Sequence, residues 1–416
     1  MISGKADCGL QYAVRKSISA VGYCALSIKC GTRDEMGYHG GIAHFVEHTL
    51  FKGTEKRSAS VINGYLDKLG GELNAFTTKE EIVFHATVLK EDLPKAASLL
   101  FELVTSAVFP QKEIEIEKGV VIDEIHSYKD TPYEDVFDRF EEMLFAGHPL
   151  GGNILGTTAS VKKITRDELL KFVKEKFLPC KMAFTVVADL DEKKMEKDVL
   201  KLVQKYFPQA QQECPPCVER PLKCGNYSLP AAVPFDKTLN KRNHQANCVI
   251  GALAPSLYQE KERLATVLLC NILGGPASNS ILNSILREKN GWVYSVECGY
   301  TQFADTGMVT ISLGCDKANL DKCLVAINKE ISKLQDELLS DRKLKAAKKQ
   351  LLGQLAISSD NGETQCLSMG KSLLAYGKVF SGKDNRSLVE EITAEEVRTA
   401  ACTVFDNSKL SKLVYI

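Results

Sequence analysis

Gly40-Gly41-Ile42-Ala43-His44-Phe45-Val46-Glu47-His48-Thr49-Leu50-Phe51 opens with two glycines and then sets two histidines four residues apart. Ile42, Phe45, Val46, Leu50 and Phe51 recur at helical spacing, which predicts a largely buried helix near 40–52. At about 100° per residue, His44 and His48 fall about 40° apart, one turn on. Both imidazoles can therefore reach one ion at metal–nitrogen distances of about 2.0–2.1 Å. Glu47 lies about 60° to the other side of His44 and borders the same face. Two ordinary core histidines would also fit the letters. Three ionisable groups in so apolar a helix are costly to bury without compensation, however. With so few histidines in the chain, a chance H-x-x-E-H is expected on the order of 1% of the time. A metal site is the better reading.

A catalytic zinc wants three protein ligands and one open position. The third ligand is sought in Glu113-Ile114-Glu115-Ile116-Glu117-Lys118-Gly119-Val120-Val121-Ile122-Asp123-Glu124-Ile125, a strongly helical stretch. Glu117 and Glu124 are two turns apart and within about 20° of each other on one face. Glu124 can bind metal while Glu117 stands behind it as an acceptor for a ligand imidazole or for water. A solvated Glu/Lys-rich face explains the same spacing equally well.

The chain has 416 residues, enough for two or three domains, and is 44% hydrophobic and 25% charged, as soluble globular proteins are. Its 53 Lys+Arg balance 53 Asp+Glu, so no overall basic field exists to hold nucleic acid or an anionic membrane. The first residues carry no apolar signal region and no Arg-rich transit segment, and no apolar run approaches the roughly 18 residues of a membrane helix. The 14 cysteines are scattered, which reads as reduced, mostly buried thiols in a cytoplasmic protein. Cys214 and Cys217 form a C-x-x-C pair with no second pair in view, and are read as incidental linker thiols.

Six of the 13 prolines fall between Phe207 and Lys237, marking an extended linker. The expected organisation is a domain at 1–210 with the metal helix, a linker at 211–235, and a domain at 236–416. Both halves run through the same order: strand, turn, helix, then a second strand followed by a helix. In the first half these are Tyr23 to Lys29, a helix near 40–52, Glu81 to Val88 and Leu93 to Thr105. In the second they are Asn247 to Leu253, a helix near 260–273, Met308 to Leu313 and Leu320 to Leu334. Two α+β units related by duplication follow.

The stretch from Gly40 through Phe51 to Lys52-Gly53-Thr54 resembles the active-site segment of the pitrilysin-like, inverzincin metallopeptidases of family M16. The two-domain subunit type that it resembles is that of bacterial M16B peptidases and the beta subunit of mitochondrial processing peptidase. In that family the third ligand is a glutamate about 75 residues past the second histidine, with a supporting glutamate about seven residues earlier. Here 75 residues lie between His48 and Glu124, and Glu117 takes the supporting place. Gly70-Gly71-Glu72-Leu73-Asn74-Ala75-Phe76-Thr77-Thr78 is similar to the family's substrate-binding edge strand, to which an extended peptide adds. Leu286-Arg287-Glu288-Lys289-Asn290-Gly291-Trp292-Val293-Tyr294 resembles its Arg/Tyr motif, which contacts substrate near the zinc.

The resemblance implies a half-clamshell of LuxS/metallopeptidase type: two tandem homologous α+β domains, each a mostly antiparallel sheet covered by helices. It implies a zinc endopeptidase for short or unfolded peptides, with one Zn²⁺ per chain on His44, His48 and Glu124. Glu47 would act as general base and Glu117 as the supporting acceptor for a ligand imidazole or the water, with Arg287 or Tyr294 a donor to the oxyanion. Asn74, Ala75, Phe76 and Thr77 would bind the peptide backbone. A homodimeric chamber is expected, with a heterodimer containing a metal-less homologue as the competing assembly. A catalytically silent subunit of a larger complex is the alternative function. His39, His85, His126 and His148 are not expected as ligands.

Overall fold

The apolar run that opens the first half is strand β3 (Val21–Ile28), placed inside a sheet rather than at its rim. The computed structural model describes residues 1–208 and 232–416. The Cys214/Cys217 pair and most of the expected linker lie outside the described residues. The chain divides into two compact units. One takes Met1–His126, residues 152–208, and Ala356–Phe380. The other takes Ser127–Gly151, residues 232–355, and Ser381–Ile416.

In the first unit, β1 (Ile2–Lys5), β2 (Gln11–Lys16), β4 (Glu72–Thr77), β5 (Ile82–Leu89) and β6 (Met182–Ala188) join β3 in the order β1-β2-β6-β3-β5-β4. All neighbours are antiparallel except β2 and β6. β6 is buried at every position, as a strand covered on both faces must be. One face carries α3 (Leu93–Ser106), and the two-histidine helix α1 (Ile42–Leu50) and α2 (Ala59–Asp67) pack beside β4. The helix α4 (Gln111–Lys129) carries the Glu117/Glu124 pair.

The second unit repeats this plan. Strands β7 (Asp236–Leu239), β8 (Gln245–Ala254), β9 (Val293–Gln302), β10 (Gly307–Asp316) and β11 (Ser411–Tyr415) lie in the order β7-β11-β8-β10-β9, with only β7 and β11 parallel. Counted from β2 in one unit and β7 in the other, the strand order and the single parallel pair are the same. The sheets are thus mixed but mostly antiparallel.

The expected domain limits differ from the units because two helices cross over. Helix α5 (Pro132–Leu144) sits in the first half of the sequence yet packs on β8 and β11, burying Val136, Phe140 and Leu144 against Val249, Met308 and Leu413. After α6 (Thr158–Lys163), α7 (Arg166–Lys176), α8 (Glu192–Tyr206), α9 (Glu260–Gly274), α10 (Leu320–Asp336) and α11 (Asp341–Ser358), helix α12 (Gly362–Tyr376) returns to the first unit and packs on β3 and β6. The sheet face it covers is built from Ala13, Ala25, Val83, Ala183 and Val187, small enough for close approach. A Cβ on Gly370 would lie 2.6 Å from Ser27 Oγ. The chain closes through α13 (Gly382–Glu391) and α14 (Ala394–Val404).

Among the described cysteines, most are buried free thiols, as expected. Cys180 is the correction: it is disulfide-bonded, so the reduced-thiol argument for a cytoplasmic location loses part of its support. Among the described residues no helix is long and apolar enough to cross a membrane.

Candidate active site

Helix α1 begins where Gly41 allows it. Gly41 is the residue before the first helical turn, at φ +87°, and a Cβ there would stand 2.6 Å from the Leu155 carbonyl oxygen. The first amides of the helix donate to Glu35: Gly41 N–H to Oε2 at 2.8 Å and Ala43 N–H to Oε1 at 2.9 Å. Burial pushes the Glu35 carboxyl up to about 8 against the pull of these two donors. With its start held at both ends of one carboxylate, α1 presents His44 and His48 to α4.

His44 Nε2 lies 3.7 Å and His48 Nε2 3.5 Å from the same oxygen, Glu124 Oε2. The donor atoms of the three residues all lie within 4.8 Å of one another, the one such group among the described residues. A tetrahedral ion with bonds of about 2.0–2.1 Å has donor–donor edges of about 3.4 Å; both histidine–glutamate separations are close to that, and two imidazoles with a carboxylate are a donor set that zinc takes. The protonation states fit as well. Burial, then the neighbouring His48, drives His44 down to about 3, keeping it a neutral imidazole with a lone pair. Its Nδ1 is buried with no hydrogen-bond partner among the described residues.

His48 is held differently. Its Nδ1 sits 2.9 Å from Glu117 Oε1, which puts the ring proton on Nδ1 and leaves Nε2 free to ligate. Burial works to lower the His48 pKa, but Glu117, Glu124 and Glu47 together raise it. Glu117 is itself buried, and burial would raise its pKa; the His48 contact and the Lys52 ammonium, 2.7 Å from Oε2, bring it below the usual range. Burial raises Glu124.

Glu47 borders the three donors, and its Oε2 accepts a 2.5 Å hydrogen bond from the Thr77 hydroxyl. Burial raises its pKa, and the Thr77 bond opposes that. Thr77 belongs to β4, which pairs with β5 on one side and is the edge of its sheet. Alternation divides the four residues expected to bind substrate. Ala75 and Thr77 are half-buried on the face toward α1. Asn74 and Phe76 are exposed on the opposite face, where the Phe76 ring stands 6.0 Å from that of His85.

Arg287 and Tyr294 belong to the second unit. Arg287 is exposed on a π-helical turn at Asn283–Lys289, and Tyr294 is exposed on β9, its hydroxyl donating to Asp316 Oδ1 at 2.9 Å. Among the other histidines, His39 binds Glu168 at 2.9 Å and His85 binds Glu363 at 3.0 Å, so both have structural partners. Three contributors went unread in the sequence: Glu35, Lys52 and the Thr77 hydroxyl. Lys52 had one signal, since His44, His48 and Lys52 repeat every four residues. Glu35 had none, because its contact is made by a loop.

The chain matches the Insulinase (Peptidase family M16) family over residues 12–158 and the Peptidase M16 inactive domain over residues 163–351. It is 31% identical over 376 residues to an uncharacterized zinc protease of Mycobacterium leprae, a match covering 89% of this chain and 81% of that one. The chain belongs to peptidase family M16. An uncharacterized zinc protease of Streptomyces coelicolor is 30% identical to this M16 chain over 372 residues, 89% of this chain and 80% of that one. A protease from Helicobacter pylori of known crystal structure superposes with a TM-score of 0.87 at 19% identity, covering 100% of this chain and 98% of that one. A peptidase M16 inactive domain structure from Pseudomonas fluorescens gives a TM-score of 0.84 at 18% identity, covering 100% and 97%. At such identities the two structures speak for the M16 fold alone.

Proposed function

We propose that this M16 chain is a zinc endopeptidase that hydrolyses short or unfolded peptides bound as an added strand on β4. The observation that carries it is the convergence of His44 Nε2 and His48 Nε2 on Glu124 Oε2, with Glu47 beside them hydrogen-bonded to the edge strand. His44, His48 and Glu124 would hold one Zn²⁺ per chain, and zinc so held supplies a Lewis acid for a peptide carbonyl and lowers the pKa of water.

The remaining work falls to the chain. Glu47 Oε2 is engaged by Thr77, so Oε1 is the atom that takes the proton from the attacking water and returns it to the leaving nitrogen. Glu117 holds the Nδ1 proton of His48 and keeps that ring in one tautomer. The open side of β4 offers backbone donors and acceptors to any extended peptide, which favours unfolded segments over particular side chains. Arg287 and Tyr294 are proposed as substrate contacts on the strength of the family motif. Because one chain carries both motifs, we propose a homodimer.

The test compares wild type with Glu47→Gln on an internally quenched, unstructured peptide, with bound zinc quantified in both. Expected are one zinc per chain in each protein and a loss of cleavage of about 10²–10⁴-fold in the variant. The wild type is expected to sediment at twice the chain mass. A zinc-loaded wild type that cleaves nothing would sink the endopeptidase reading and leave the silent-subunit alternative.

A further inference from the structure

Glu117 sits deep between two helices, 3% exposed; one of its oxygens is hydrogen-bonded, and the other has no hydrogen-bond partner among the described residues but meets a cation in an ion pair. Oε1 lies 2.9 Å from His48 Nδ1, and Oε2 lies 2.7 Å from the Lys52 ammonium. Lys52 follows the last residues of α1, and its amide donates to the Thr49 carbonyl at 3.1 Å, so its side chain leaves the helix end toward α4. A carboxylate this deeply buried needs charge and hydrogen-bond partners to be stable there. The terminal torsion of a glutamate is broad, so a single contact to His48 would leave the carboxylate plane loosely set. Two contacts fix it.

We infer that Lys52 is a positioning residue for the metal centre: by pinning Glu117 Oε2 it presents Oε1 to His48 Nδ1 and so sets the ring whose Nε2 faces Glu124. The inference rests on the metal-centre reading of His44, His48 and Glu124. It adds a third layer, in which a cation outside the ligand set controls a ligand through the carboxylate between them. Groups behind metal-bound histidines commonly change metal affinity by about 10–100-fold when removed.

The experiment measures zinc affinity by chelator competition for wild type, Lys52→Met and Lys52→Arg, with the visible spectrum of the Co²⁺-loaded proteins as a second readout. Lys52→Met is expected to weaken zinc binding about 10-fold or more and to shift the Co²⁺ bands, and Lys52→Arg to restore both. In a Glu117→Gln background, Lys52→Met is expected to have little further effect, because the pair acts as one unit. Wild-type zinc affinity in a Lys52→Met protein whose thermal stability has dropped would overturn the inference and leave Lys52 a structural residue. A full, additive loss in the Glu117→Gln background would overturn it too. A wild type that binds no zinc would bring down the metal-centre reading and this inference with it, whereas zinc-binding wild type and Lys52→Met alike would remove only the inference. Should Lys52→Met fail to fold by circular dichroism, Lys52→Gln takes its place in the cycle.

Discussion

A threonine at the end of β4 belongs to the edge that would receive substrate and also donates to Glu47. A hydrogen bond to a charged group contributes about 1.5–3 kcal/mol, and about 1.4 kcal/mol is tenfold in rate. Thr77→Val, which keeps shape and strand propensity, is therefore expected to lower kcat about 10-fold on the quenched peptide. KM and zinc content should stay near wild type, and Thr77→Ser should recover the loss. A Val variant with unchanged kcat would show that the base is oriented without the hydroxyl. At this scale the sequence was informative wherever helical periodicity decides which side chains share a face. That is why His44 and His48 could be read as one pair, whereas the spacing of Glu117 and Glu124 fitted a solvated face equally well and only the family resemblance singled them out. Glu35 escaped because its partners are chosen by packing between elements, and Lys52 because its four-residue spacing from His48 could not show that its partner is Glu117.

Elements matter through their ends as much as their lengths. The start of α1 is fixed by Gly41 at φ +87° against the Leu155 carbonyl and by the two amides on Glu35. Alanine at Gly41 meets both a disfavoured backbone region and a carbonyl oxygen well inside contact distance. Gly41→Ala is expected to cost about 2 kcal/mol or more of stability, read by urea unfolding of the metal-free protein, and to weaken zinc binding by displacing His44. A variant as stable as wild type would mean the loop at Leu155 yields freely. The strands and helices named from the sequence follow from apolar periodicity and β-branched content, and β3, β5, β8, β10, α1, α3, α9 and α10 fall close to where those patterns put them. The π-helical turn under Arg287 was not legible, since its residues read equally well as an ordinary helix. Nor were the partners of α5 and α12: an amphipathic pattern says that a face is buried, not which sheet buries it.

On the scale of the molecule, the duplication was legible and the exchange of helices was not. Both sheets have one strand order with one parallel pair, yet each is completed by a helix from the other half of the sequence. Residues 1–208 and 232–416, produced separately, are expected to lack a cooperative thermal transition, because each sheet would expose the face its missing helix covers. Refolded together, they are expected to regain it. Cooperative melting of either piece alone would show that the exchanged helix is dispensable. The same exchange bears on where such a chain came from. A half-length chain that kept this exchange would complete its fold by lending a helix to a sister copy and borrowing one in return, an assembly that depends on concentration. With both copies in one chain, that loan is independent of dilution. It also tied the copies' later histories together: any residue larger than glycine at Gly370, late in the chain, must be accommodated by Ser27 near its beginning.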